Sequence, residues 1–215
     1  PGADRRAAAS AAVSPRHLLL LALVTLGWPL AAWFGRDLPV TVALACFAAP
    51  TAALAWAIGP RAAPDSGSLA GLGLGAAAGL VMAAGAQLGF LWVAPLWPGL
   101  ETEMLGLYSL LGAGLGPWAR APLVGVVVLA EEIVWRQVLW LPMKEALGAP
   151  RALVLVTASY TLAQLGMGSP ALVAVALACG LAWLGLRILT DRLSVAIAAH
   201  LVFDALILGV WPIVG

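Results

Sequence analysis

Charge is scarce in this chain. Asp, Glu, Lys and Arg make up 10% of its 215 residues against 63% apolar ones, and the mean hydropathy is +1.01. So little polar surface cannot coat a soluble globule of this size, and the chain reads as an integral membrane protein. A basic patch is missing too. The net charge is +1 and the Lys and Arg residues are scattered singly, which gives no sign of a nucleic-acid partner and leaves lipid as the partner that composition demands. The two cysteines, Cys46 and Cys179, each fall inside an apolar run without the spacing of a disulfide or metal pair, so both read as small buried hydrophobes. Gly71, Gly73 and Gly75 follow no strand and precede no lysine, which rules out a phosphate-cradling loop.

What the chain has in quantity is apolar runs long enough to cross a bilayer. They lie at 18–34, 39–59, 69–94, 121–142, 151–166, 170–189 and 194–213, and imply an all-α bundle of about seven transmembrane helices. The first run follows Arg5, Arg6 and Arg16 but is longer than a signal-peptide core, so it reads as the first membrane helix behind a tail at 1–17. In this arrangement Arg5, Arg6, Arg16, Arg61, Lys144, Arg151, Arg187 and Arg192 share one side, and only Arg36 and Arg120 take the other. The positive-inside rule then puts the N-terminus in the cytoplasm, in a membrane of the bacterial inner (plasma) type. Between the third and fourth runs, the stretch from Pro95 to Arg120 carries Glu101, Glu103, Tyr108, Gly112, Gly114 and Gly116, and reads as an interfacial helix and loop: a lid, or a plain connector. Gly71, Gly75 and Gly79 recur every four residues and form a flat seam for a neighbouring helix. Trp28, Trp33, Trp92, Trp97, Trp118 and Trp211 fit an interfacial belt.

Against this background a few polar residues stand out. Glu131, Glu132 and Arg136, in the run EEIVWR, sit inside the fourth apolar stretch, where an ionisable side chain is a functional candidate by default. Four residues apart, Glu132 and Arg136 share a helix face and can pair, while Glu131 points about 100° away toward whatever the bundle encloses. In the last run His200 and Asp204 are also four apart. A neutral imidazole there can donate to an oxyanion, relay a proton, bind a metal or simply be a hydrogen-bonded core residue, with Asp204 fixing its tautomer. His17, at the edge of the first run, reads as a flank. On the fifth helix Tyr160 and Gln164 are again four apart, and a buried amide must find partners, so it should face the same polar interior.

These residues resemble the CPBP intramembrane proteases, which include the CAAX prenyl-protein endopeptidases and bacteriocin-processing or self-immunity proteins and are also called the Abi group. The family pattern is EExxxR, then FxxxH, then HxxxN or HxxxD on successive helices. Here Glu131, Glu132 and Arg136 give the first and His200 and Asp204 the third, over roughly 120–206. The resemblance implies CPBP-like helices at 121–215 behind helices and a loop at 18–120 that carry no motif. It implies an endopeptidase in which Glu131 activates a water for attack on a peptide carbonyl. Glu132 and Arg136 would hold the helix, and His200 with Asp204 would stabilise the oxyanion. Such a mechanism takes no metal and no cofactor, and its substrate would be a membrane-bound or lipidated peptide or protein.

The second motif departs from the pattern, with Tyr160 in place of the Phe and Gln164 in place of the His. A glutamine can position a water or donate from its amide, but it neither exchanges a proton near neutral pH nor makes a good metal ligand. Two further readings therefore stand beside the protease: a non-catalytic CPBP-like protein that binds a peptide or partner in the same cavity, and a small proton-coupled carrier. The carrier lacks the inverted repeat and paired broken helices expected of that class.

Overall fold

The computed structural model describes residues 13–35, 37–59 and 67–214. Arg5, Arg6, Arg36 and Arg61, and most of the tail at 1–17, lie outside the described residues. The chain is a helical membrane bundle. Helices α1 (Pro15–Phe34), α2 (Val40–Ile58), α3 (Leu69–Val93), α8 (Pro170–Thr190) and the run Leu193–Val210 are each long and apolar enough to span a bilayer. Helix starts follow local chemistry. Ser68 accepts from the Gly71 amide and Ser169 from the Leu172 amide, while α1 and α8 begin on a proline whose missing N–H is no loss there.

The two remaining expected spans take a different form. The stretch expected at 121–142 runs from 117 to 147 as three joined pieces: α5 (Pro117–Glu131), a π-helical segment (Glu132–Leu139) and α6 (Trp140–Leu147). The stretch expected at 151–166 is α7 (Ala149–Ala163), whose 15 residues cover only about 22 Å of an apolar core about 30 Å thick. A single 3-10 turn, Gln164–Met167, extends it. The last run is likewise α9 (Leu193–Ala205) followed by a π-helical segment, Leu206–Val210. The interfacial stretch does hold a helix, α4 (Leu100–Gly112), which buries Leu100, Met104 and Leu107.

Packing explains the glycine seam. A Cβ at Gly79 would stand 2.5 Å from the Ala199 carbonyl oxygen, and one at Gly75 would collide with the Val195 carbonyl, so α3 lies directly on the backbone of α9. The main core joins Leu20, Val24 and Trp28 of α1 to Val134, Trp135 and Leu139 of the π segment. Trp28 is a correction to the belt. It is 1% exposed and packs edge-on to Phe47 at 5.6 Å and Trp135 at 5.1 Å, whereas Trp33, Trp92, Trp118 and Trp211 are exposed. Its large ring fills the space between three helices, a role that burial rewards more than an interfacial one. Cys179 is buried as expected, but Cys46 is exposed on the outside of α2, where lipid is as apolar as a core. His17 is buried and bonded through Nδ1 to Ser14 Oγ at 2.7 Å rather than lying free at the edge.

Candidate active site

The polar residues converge at the three places where helices leave α geometry. Glu132 and Arg136 lie in the first π segment, Gln164 opens the 3-10 turn that ends α7, and Asp204 precedes the π segment after α9. Such irregular turns redirect side chains and free backbone groups, and single π-turns are frequent at functional sites.

Glu132 and Arg136 are 0% and 1% exposed and lie 3.5 Å apart, the ion pair expected from their spacing. The arginine is also held by aromatic faces, its Cζ 4.2 Å from the centre of the Tyr160 ring and 5.4 Å from that of Trp183. Glu131 points elsewhere, as the helical angle requires. Its Oε2 accepts from the Tyr160 hydroxyl at 3.0 Å and its Oε1 from Gln164 Nε2 at 3.4 Å.

His200 departs from the expectation. Its Nδ1 donates to Glu132 Oε1 at 2.8 Å, so Glu132 rather than Asp204 sets the tautomer. Asp204 stands 3.7 Å from Nε2, and Glu131 Oε2 stands 3.8 Å from the same atom. Trp183 supplies the physical reason. Its ring stacks on the imidazole at 3.5 Å with planes 19° apart, which fixes the imidazole plane in which Nδ1 meets Glu132. Sequence reasoning missed Trp183; the signal available was a tryptophan inside an apolar run, four residues before a buried arginine, Arg187.

Glu131, Tyr160, Gln164, His200 and Asp204 line one end of a cavity of about 150 Å³. The rest of its lining is mostly apolar and includes Leu44, Val127 and Phe203, with Met104, Leu107 and Tyr108 of α4 on its rim. The helix α4 is tied down on both sides. Glu103 accepts from Ser169 Oγ and the Ala171 amide, both at 2.7 Å, and the Tyr108 hydroxyl donates to the Ile207 carbonyl and accepts from the Ile213 amide. A second hollow of about 410 Å³ lies between α3, α4 and α8 and is walled by small residues such as Gly85, Gly89, Ala174 and Ala178. Met104, Val175, Cys179 and Ile213 border both spaces. Among the described residues no three His, Cys, Asp or Glu side chains are placed to hold a metal ion.

Chemically, the site sets three carboxylates and one guanidinium around an imidazole. An Nδ1 that donates to Glu132 leaves Nε2 an acceptor when the ring is neutral and a donor when it is protonated. Protonation of His200 therefore decides whether the group facing Glu131 and Asp204 takes a hydrogen bond or gives one.

Residues 113–206 match the family model described as Type II CAAX prenyl endopeptidase Rce1-like. No curated protein and no solved structure matches the chain. Glu131, Glu132, Arg136, Tyr160, Gln164, His200 and Asp204 all fall within the matched segment, and the family is one of proteases. Over residues 113–206 the chain is thus similar to the CPBP, or Abi, family.

Proposed function

We propose that the protein is an intramembrane endopeptidase that hydrolyses a peptide bond in a membrane-associated protein, with Glu131 as the base that takes a proton from the attacking water. The observation that supports this most is that Glu131 alone of the paired glutamates lines the cavity, while Glu132 is fully buried and engaged with Arg136 and His200. Division of labour between two adjacent carboxylates is what a general base and its scaffold require. In its protonated form His200 presents Nε2 as a donor beside Glu131, where an oxyanion would form once water adds to the carbonyl. Asp204 steadies that proton. Gln164 donates to Glu131 and carries no proton itself.

The family name points to a prenylated peptide, and the apolar hollow between α3 and α8 offers an apolar chain a place next to the polar end. In this reading the substrate is membrane-anchored and the N-terminus lies in the cytoplasm of a bacterial-type cell.

The test compares protein termini in membranes from cells carrying the native protein, a deletion and Glu131→Gln. Termini seen only with the native protein are expected, because losing a general base lowers rate by about 10²- to 10⁴-fold. Identical termini in all three samples would overturn the proposal. Gln164 favours the second reading, a binding protein that does not cut, and in that case Glu131→Gln would keep the phenotype while bulky substitutions lining the cavity abolish it.

A further inference from the structure

Glu131 has no charged hydrogen-bond partner among the described residues. Arg136 is directed to Glu132, and His200 Nε2 is 3.8 Å away. What holds the carboxylate is a pair of neutral donors one helical turn apart on α7. They are not equivalent. The Gln164 contact is 3.4 Å long and comes from a side chain in the 3-10 turn beyond the last regular residue of the helix. The Tyr160 contact is 3.0 Å and comes from a ring that lines the cavity but is packed against several neighbours. Trp135 meets it edge-on at 5.3 Å and Trp183 at 6.2 Å, and the Arg136 guanidinium lies over its face. Even α8 makes room for it, since a Cβ at Gly180 would stand 2.9 Å from the ring. A ring packed in this way holds its hydroxyl more firmly than the Gln164 amide, which comes from an irregular turn.

We infer that Tyr160 is the positioning residue for Glu131: its hydroxyl fixes Oε2, sets the plane of the carboxylate in the cavity and leaves Oε1, on the Gln164 side, as the oxygen that meets the water. The inference rests on Glu131 being the base, but its geometry does not depend on what is cut. Fixing a base within a few tenths of an ångström of its working position lowers the barrier without tightening substrate binding, so the signature is in turnover. The arrangement also gives the chain its own solution at the end of α7. A hydroxyl on the ring supplies the firm contact to Glu131, and the glutamine one turn later adds a weaker one.

Tyr160→Phe removes one oxygen and keeps the ring, its stacking and its place under Arg136, so folding should be retained. Two measurements read it. The first is the infrared carboxylate band of Glu131 in vesicles, isolated as the difference between the protein and its Glu131→Gln variant, with and without Tyr160→Phe. The second is steady-state cleavage of a fluorogenic farnesylated CaaX peptide in phospholipid vesicles. The expected result is a displaced Glu131 band and a kcat lowered by about ten- to a hundredfold with KM unchanged, the loss expected for one hydrogen bond to a charged group. Gln164→Ala should have the smaller effect of the two. An unmoved band would overturn the inference, as would native kcat in Tyr160→Phe, or a rise in KM alone. If the native protein cuts nothing yet the band moves, the protease reading fails while the positioning of Glu131 by Tyr160 stands.

Discussion

Two helices flank α9, and they are built on opposite plans. On one side α3 carries no charged residue over its 25 positions and buries only Gly71, Gly75, Gly79 and Ala83. On the other, the π segment Glu132–Leu139 buries all but one of its side chains, a glutamate and an arginine included. The first meets α9 by shape, backbone against backbone. The second meets it by chemistry, through the Glu132 to His200 hydrogen bond. The histidine is thus presented by a helix that is pressed into place from behind and addressed by polar groups from the front. Close backbone packing comes from the side with no charged groups on it, and the polar contacts from the side where the helix is least regular.

The contrast can be broken from either side. The largest effect on stability is expected from Arg136→Ala, which leaves Glu132 as a charge at 0% exposure with His200 as its remaining partner. Stranding one member of a buried pair costs about 3–5 kcal/mol. Thermal unfolding in detergent should show it, and an unchanged midpoint would mean that Glu132 does not rely on its arginine. Next comes Gly79→Leu, which forces a side chain against the Ala199 carbonyl and should cost about 1–3 kcal/mol by overpacking. Its internal control is Gly73→Leu, because a Cβ at Gly73 meets nothing within 4 Å and the seam should not notice it. Equal effects from the two would dissolve the distinction between a shape-matched face and an indifferent one.

The smallest expected effect lies outside the spans. Asp191 ends α8 in the left-handed conformation at φ 52° and bonds to Arg187 Nη1 at 2.6 Å. Through that hydrogen bond and charge, Arg187 holds the Asp191 carboxyl below its usual value. Because folding lowers this pKa, the contribution is present above the free carboxylate value of about 3.9 and fades as pH falls through the lower folded value. The carboxylate is 91% exposed, so screening limits Asp191→Asn to a few tenths of a kcal/mol near neutral pH and to nothing in strong acid. A loss that persisted at the acid end would show that the aspartate acts through its backbone conformation instead.

Much of this was legible in the residues themselves. Length and hydropathy place the long helices within a few positions, because a bilayer fixes how many residues a span needs. A four-residue interval is enough to pair Glu132 with Arg136 and to turn Glu131 away from them, and the glycine interval gives the seam. What the sequence concealed was of another kind. Nothing in EIVWRQVL distinguishes a π-turn from an α-turn, since the same residues serve both. The partner of His200 lies 68 positions away, and a local interval naturally nominates Asp204 instead. Trp28 looked interfacial because it lies in the second half of its run toward one end, yet the neighbour that buries it, Trp135, is supplied by a different part of the chain.

The helix α4 is fastened to α8 through Glu103 and to the C-terminal segment through Tyr108. Beside this doubly tied helix stands an apolar hollow between α3 and α8. On the protease reading proposed above, supply of substrate is a problem in two dimensions. That reading makes surface density within the lipid sheet and lateral diffusion toward the hollow matter more than concentration in the aqueous phase.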